Sequence, residues 1–344
     1  MKPIFSVVIT TLNRKKLLKK AVHTALDQTY PCEVIIVDDC SIDGTEAWVE
    51  KIQSEPRGDR VKYIRNSENL GHSGSINRGV AIASGNWIKF LDDDDYLAPQ
   101  CLETMAEAIE LVQCQMTEPI ALCSVQAIQE RLNGKPIRQT RLPRPIAAHG
   151  LTLRRRNLGY LVDREDVHYN MLVERLPLGT PVQVACSRDA FDLVRGWNSD
   201  FDGDCDDIEF WVRAASAGSA IVLHAPLAYR THGQNNVSAT LSEVQRFKTN
   251  WTIKQKIFKL VSSKYCDCLP SMSDLRNTLE LHWGLVSLKN KHISEAMVLL
   301  RHAWGSPSRW WKYIFRRGKI YRSAFSSNSM AGQLSVINNV KQVQ

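Results

Sequence analysis

The chain has 344 residues, 44% of them apolar and 23% charged, a composition that excludes a disordered protein and suits one large domain with an appendage, or two domains. No apolar run approaches the roughly 20 residues a membrane-spanning helix needs, and the N-terminus has no basic segment ahead of a long apolar one, so neither a span nor a signal peptide is expected. The net charge of +8 is uneven: residues 246–344 hold 17 Lys/Arg against 4 Asp/Glu, a balance of +13 that leaves −5 in the preceding 245 residues.

The first hundred residues alternate between two kinds of segment. Residues 5–10 are apolar and β-branched and predict a strand. A helix over 15–28 follows from apolar residues at Leu17, Leu18, Ala21, Val22, Ala25 and Leu26, the spacing of one helix face. Residues 33–37 form a short apolar run of the kind a buried parallel strand carries. A helix over 43–52 starts at Ser41 or Asp43 as its cap, which leaves Asp39 free. A strand at 61–65, a helix at 73–83 and a strand at 86–91 complete a β-α-β-α-β-α-β order, which predicts a mostly parallel sheet with helices on its faces. Further on come a helix at 99–112, strands at 120–125 and 128–139 with Asn133-Gly134 as a hairpin turn, and an irregular stretch at 141–175 with basic residues Arg154, Arg155 and Arg156. A strand at 182–186, a helix at 206–217 stopped by Gly218 and an extended run at 221–229 follow. Helices are then expected at 241–264, 274–289, 293–303 and roughly 307–318.

Ligands on parallel sheets bind beyond the carboxyl ends of the strands. The polar clusters fall there: Thr10, Thr11 and Asn13 after the first strand, Asp38 and Asp39 after the second, and Asp92 to Asp95 after the fourth. Four adjacent carboxylates repel one another and call for cations, and Mg²⁺ and Mn²⁺ prefer oxygen ligands. The alternative is a solvated acidic turn. Asp206 and Asp207 open the helix at 206–217, where a carboxylate beside an apolar flank is a candidate general base. The alternative there is a charge favourable to the helix dipole, with Glu209 and Arg213 as an i,i+4 pair. Arg230 is a candidate phosphate clamp or a surface charge. Nine cysteines, an odd number with no CxxC pair, point to free thiols in a reducing cytoplasm rather than to zinc or redox chemistry.

The blocks FSVVITTLNR (5–14), VIIVDDCSIDGT (34–45), NLGHSGSINRGVAIASGNWIKFLDDDDYLAP (69–99), DDIEFWVRAASAG (206–218) and YRTHGQ (229–234) together resemble inverting family-2 glycosyltransferases. Within that family the chain is most similar to bacterial enzymes of O-antigen and capsular polysaccharide synthesis. The resemblance spans about residues 3–235. It implies the α/β GT-A fold, a Rossmann-like, mostly parallel sheet flanked by helices, over residues 1–240. Residues up to about 98 would bind the nucleotide sugar and 99–240 would form the acceptor side, with a C-terminal helical appendage over 241–344. Residue by residue, Thr10, Thr11 and Asn13 would lie along the nucleotide and Asp39 would read a uracil ring. Asp92 and Asp94 match the DxD motif, with Asp94 as metal ligand and Asp92 nearer the ribose. Asp93, Asp95 and Arg230 join the donor-binding set. Asp207 matches the catalytic base, preceded by Asp206 where the family usually has Glu, and His232 matches a histidine near the diphosphate or metal. Around Ile76-Asn77-Arg78, where many members carry Ala-Arg-Asn, the usual arginine position is Ile76, so no phosphate contact is assigned there. The implied activity is transfer from a UDP-sugar to a glycan hydroxyl, on an acceptor linked to undecaprenyl diphosphate, with Mn²⁺ or Mg²⁺ as cofactor.

Trp197 could stack under an acceptor ring beside Asp206, or be a packed aromatic. Residues 300–322 mix Trp304, Trp310, Trp311 and Tyr313 with Arg309, Lys312, Arg316 and Arg317. They suit either an anionic membrane surface, on the inner face of the cytoplasmic membrane, or a helical appendage with a solvated basic face. No recognition motif accompanies the basic tail, so nucleic acid is not an expected partner. The competing readings are a nucleotidyltransferase, which normally carries a Gly-rich phosphate loop that ITTLNR does not supply, and a non-catalytic binding protein on the same fold.

Overall fold

The computed structural model describes residues 4–139, 143–153, 156–232, 241–301, 308 and 310. The chain divides into two compact units, Met1–Leu269 and Pro270–Gln344, so the first extends past the expected boundary at 240.

In the first unit, β1 (Phe5–Thr11), α1 (Lys15–Leu26), β2 (Cys32–Asp38), α2 (Thr45–Gln53), β3 (Val61–Arg65), α3 (Gly71–Ala81) and β4 (Trp87–Asp92) follow the expected alternation. The helix at α1 forms as its spacing predicts: Leu18, Ala21, Val22, Ala25 and Leu26 are the buried face. Burying one such Leu or Val side chain contributes about 1.5–3 kcal/mol. On the sheet's other contacts, α3 lies close because Gly79 is small: a Cβ there would stand 2.6 Å from Val8 Cγ1 and 2.8 Å from Val37 Cγ2.

The chain continues through β5 (Tyr96–Leu97), α4 (Cys101–Gln113), β6 (Ile120–Arg131), β7 (Pro136–Gln139), β8 (His149–Leu153), β9 (Arg156–Val162), α5 (Arg164–Leu172), β10 (Val184–Ser187), α6 (Arg188–Leu193), α7 (Asp206–Ala214), β11 (Ser219–His232) and α8 (Glu243–Leu260). Three expectations are corrected. Residues 120–131 form one uninterrupted strand, whose hairpin to β7 turns at Gly134 with φ 75°. The stretch expected to be irregular holds the β8–β9 hairpin and α5. An unexpected short helix, α6, is capped by the Ser187 side chain, which accepts the backbone N–H of Ala190.

Among the described residues the strands form one sheet in the order β3-β2-β1-β4-β10-β6-β11-β9-β8, with β5 paired to β11 and β7 to β6. The β3-β2-β1-β4 half is parallel, and β10 runs antiparallel between β4 and β6. Register levels the carboxyl ends: Thr11 pairs with Asp38, and Thr10 with Asp92. The strand ends thereby present their polar residues along one rim.

The second unit contains α9 (Met272–Lys289) and α10 (Ile293–Leu300). Ser271 caps α9 by accepting the N–H of Asp274. The two helices cross closely at Gly284, where a Cβ would stand 2.5 Å from Leu300. Of the aromatic residues in the basic tail, Trp310 is described, and it packs on Leu281 and Leu300. Trp304, Trp311, Tyr313 and the basic residues around them lie outside the described residues, as do Arg154 and Arg155. No helix among the described residues is long and apolar enough to cross a membrane.

Candidate active site

The acidic run after β4 alternates in environment. Asp93 and Asp95 turn inward, 5% and 3% exposed, while the side chains of Asp92 and Asp94 stay partly open at 29% and 18%. The inward pair has fixed partners. Asp93 accepts the Thr11 hydroxyl at 2.8 Å and an Arg14 N–H at 3.2 Å, and Asp95 accepts the Thr231 backbone N–H at 2.7 Å. Arg14 also reaches Asp94 at 3.3 Å. Burial pushes the Asp93 carboxyl up to about 6 despite Arg14 and Thr11. Burial and the charge of Asp92 raise Asp94, and burial with Asp92 and Asp94 raises Asp95 well above the usual range. The rim is thus short of positive charge. Its open members offer oxygen ligands on alternate residues, and a Mg²⁺ or Mn²⁺ ion is commonly held by one or two carboxylates plus substrate phosphates. Asp94, with Asp92 beside it, fits such an ion.

At the neighbouring strand ends the residues are more occupied than expected. Asp39 is 5% exposed, and its carboxylate accepts N–H groups from Asn66 at 2.7 Å, Leu70 at 2.8 Å and Gly71 at 3.0 Å. It therefore anchors the start of α3 rather than standing free. Ser41 Oγ accepts from Asn13 N at 2.8 Å ahead of α1, while Asp43 serves both helices, accepting from Lys15 N at 2.8 Å and from Thr45 N, the first residue of α2, at 3.2 Å. Asn13, at φ 54°, accepts the N–H of Ile42 at 2.8 Å and so braces these two loops with the same side chain expected along the nucleotide. Thr10 is partly open at the rim. Arg78 donates to Asn66 Oδ1 at 2.9 Å, in the chain of contacts that supports Asp39.

Across from this rim, α7 begins at Asp206 and Asp207. The helix is held by Glu209, buried to 1% exposure, which pairs with Arg213 at 2.8 Å and with Lys256 of α8 at 2.7 Å. Its inner face places Phe210 and Trp211 against Phe90 of β4, at 5.9 and 5.6 Å between ring centres. Asp207 is half-buried and accepts the N–H of Ile208 at 2.7 Å. Burial, then Asp206 and Asp92, push its carboxyl up to about 7, while Arg230 draws it down. Arg230 also acts on Asp94 and Asp95, so the expected base and the DxD residues share one electrostatic neighbourhood.

Two residues not assigned from the sequence complete the site. Arg14 supplies positive charge to Asp93 and Asp94. His72 stands between Asp92 at 3.3 Å and Asp206 at 2.8 Å. The signals were present, a cation three residues past the strand end and an imidazole in the first turn of a rim helix, but the pairing partners are remote in sequence.

Two acceptor expectations are corrected. Trp197 is 3% exposed, packed against Phe210 at 5.2 Å and Phe90 at 5.4 Å, so no sugar ring reaches its face in this structure. Asp206 is engaged by His72 and by the backbone N–H of Asp207 at 3.1 Å. His232 faces Gln129 Oε1 at 3.2 Å, and burial together with Arg230 and Arg138 lowers its proton affinity. Two nearby cations oppose metal binding at His232 in this conformation.

A β-1,3-glucosyltransferase of Campylobacter jejuni, named as acting on GalNAc(5)-diNAcBac-PP-undecaprenol, is 38% identical over 107 residues, covering 30% of this chain and 34% of that protein. The chain spans a third to under a half of the length of such curated relatives. The S. aureus TarS 1–349 structure in complex with UDP-GlcNAc superposes with a TM-score of 0.56 at 19% identity, over 94% of this chain and 82% of that one. A mannosyltransferase of Pyrobaculum calidifontis, solved with GDP-Man and Mn²⁺, gives 0.53 at 16% identity, over 97% and 89%. These two share the fold, a GT-A arrangement. Residues 6–160 match the family model described as glycosyl transferase family 2.

Proposed function

We propose that this chain is an inverting glycosyltransferase that moves a hexose or N-acetylhexosamine from a UDP-sugar to a hydroxyl of a glycan acceptor. The acceptor is carried on a lipid diphosphate, in the assembly of bacterial surface polysaccharide. The observation that carries the reading is Asp207: a half-buried carboxyl pushed up to about 7, within reach of the charges of Asp92 and Arg230. A carboxylate near neutrality is matched to accepting a proton at physiological pH.

In this reading Asp207, ionised, takes the proton of the acceptor hydroxyl as its oxygen attacks the anomeric carbon. The nucleoside diphosphate leaves from the opposite face, so a single displacement inverts that carbon. Asp94 and Asp92 would hold a divalent cation, which when bound offsets the charge growing on the departing diphosphate. Arg230, drawn to Asp94 and Asp95 and to Asp207, is placed to add positive charge to the diphosphate. Thr10 and the remaining lone pairs of Asp39 would face the nucleotide, while Asp95, expected in the donor-binding set, is turned inward and holds the Thr231 backbone behind the rim.

Support for the donor comes from the shared fold of TarS with its UDP-GlcNAc, and for the cation from the mannosyltransferase with Mn²⁺. Support for the acceptor comes from the undecaprenol-linked substrate named for the Campylobacter relative. A lipid-linked acceptor would bring residues 300–322 to the inner face of the cytoplasmic membrane. Sedimentation with anionic and with neutral liposomes tests that contact, and equal binding to both would remove it. A panel of nucleotide sugars, assayed with and without Mn²⁺, tests the activity. Metal-dependent release of UDP from one or more UDP-sugars is expected, and release from no nucleotide sugar refutes the reading.

A further inference from the structure

The second unit has one face that its own packing leaves open. α10 is apolar on both sides. Ala296, Leu299 and Leu300 are buried, and Leu300 packs on Leu281 of α9. At 3.6 residues per turn the outward side carries Ile293, Met297 and Val298, each more than half exposed, with Ser294 between them. Leu288, at the end of α9, is exposed as well. Single apolar residues on a surface need no explanation, but three on adjoining turns of a helix whose other side is already buried call for a cover. The rim of the face is cationic. Lys289 and Lys291 stand exposed just ahead of Ile293, and Arg301 stands exposed four residues past Met297, on the same stripe. The one carboxylate of α10, Glu295, is half-buried and off that stripe.

The cover must offer hydrocarbon to the centre of this face and negative charge to its edge. A second copy of the chain, laid on the same face about a two-fold axis, would set these cations against their own kind. The chain's own tail has the same fault, since residues 302–344 hold 7 Lys/Arg and no Asp/Glu. An anionic bilayer supplies both needs. Its acyl chains receive apolar side chains from a helix lying in the interface, and its headgroups meet Lys and Arg, whose long stems reach out to them. We propose that the outer face of α10 is a bilayer-docking surface, with Ile293, Met297 and Val298 entering an anionic membrane and Lys289, Lys291 and Arg301 held among its headgroups. The proposal rests on reading the acceptor as lipid-linked. It adds the residues that enter the bilayer, and it separates them from the basic tail, which attracts by charge alone. The cations draw the protein in and are screened by salt, while the apolar residues hold it once it has arrived.

The test uses the full chain and vesicles of mixed phosphatidylglycerol and phosphatidylcholine, sedimented without donor or acceptor. One variant combines Ile293→Ser, Met297→Ser and Val298→Ser, which keeps the net charge and leaves the buried side of α10 alone. Its partitioning onto the vesicles should fall by about tenfold or more. A second variant, Lys289→Gln with Lys291→Gln, should lose about tenfold at low salt and much less at high salt. Equal partitioning of the triple variant and wild type, in a protein that still unfolds cooperatively, overturns the proposal, and so does a wild type that binds no vesicle. If the triple variant does not fold, Met297→Ser with Val298→Ser takes its place. A wild type that is dimeric by sedimentation equilibrium, becomes monomeric in the triple variant and leaves vesicles unbound assigns the face to a second copy and overturns the proposal too. Vesicle binding lost in the triple variant, with a wild type that releases UDP from no nucleotide sugar, leaves the docking face standing and removes the proposed function. Vesicle binding kept in a triple variant that transfers sugar removes the docking face alone.

Discussion

Replacing Asp207 with Asn should stabilise the fold above neutral pH. The carboxyl is displaced from an ordinary 3.8 to about 7 by burial and by Asp206 and Asp92. At about 1.4 kcal/mol per pH unit, that displacement is worth roughly 4 kcal/mol. The group is partly open to water, and screening by solvent brings the expected figure down to about 2 kcal/mol. The sign follows from proton binding. The folded chain keeps a proton that the unfolded chain releases, so wild-type stability falls as pH rises from 3.8 through 7, and above that the penalty is complete. Asn carries no charge and still accepts the Ile208 N–H. Urea unfolding of both proteins at pH 5, 6, 7 and 8 should therefore give a gap that widens with pH to about 2 kcal/mol in favour of the variant, with unchanged slopes. A variant less stable than wild type at pH 8, or a gap independent of pH, would refute the electrostatic account of this site.

Other substitutions test its parts. Asp94→Ala should lower metal-dependent turnover by about 100-fold or more and remove the gain in UDP affinity that Mn²⁺ confers, read by calorimetry; full turnover of wild type in chelator would contradict the metal role. Glu209→Ala leaves Arg213 and Lys256 without their carboxylate and should cost about 2–3 kcal/mol at pH 7, the low end for a buried pair because both cations are partly exposed. The Glu209 carboxyl is held below its ordinary value by those cations, so this contribution is present above the unfolded value and fades as pH falls through the folded one. Gly71→Ala forces a side chain onto φ 72° and puts its Cβ 2.3 Å from Asp202 Oδ2, so it should cost about 1–3 kcal/mol and lower the melting temperature.

The parallel half of the fold was legible because its helices are amphipathic and its strands are short apolar runs. The rule that ligands gather at strand carboxyl ends then located the rim, and register confirms that Thr10 and Asp92 are level. The 141–175 stretch was opaque for a physical reason. In α5 every residue from Asp166 to Leu172 is buried, polar ones included, so no 3.6-residue alternation marks it as a helix. The β8–β9 sequence does alternate, with Leu151 and Leu153 on one strand and Leu158, Tyr160 and Val162 on the other, but the basic run Arg154 to Arg156 between them reads as loop. For Trp197 the sequence left open stacking on an acceptor ring or packing, and Phe90, remote in sequence on β4, and Phe210 of α7 close over it and make it the packed aromatic. Asp39 was expected free because Ser41 and Asp43 could cap α2; Asp43 does accept the Thr45 N–H at the start of α2, but Asp39 turns to α3 and is not free. His72 escaped notice because its partner Asp206 is 134 residues away, and no local spacing encodes that pair.

The most direct measurement compares sugar transfer and donor binding in Asp207→Asn, with saturating Mn²⁺ at pH 8. Transfer should fall by about 100-fold or more while UDP-sugar affinity stays within about twofold of wild type, as loss of a general base requires. Near-full transfer by the variant would contradict the account.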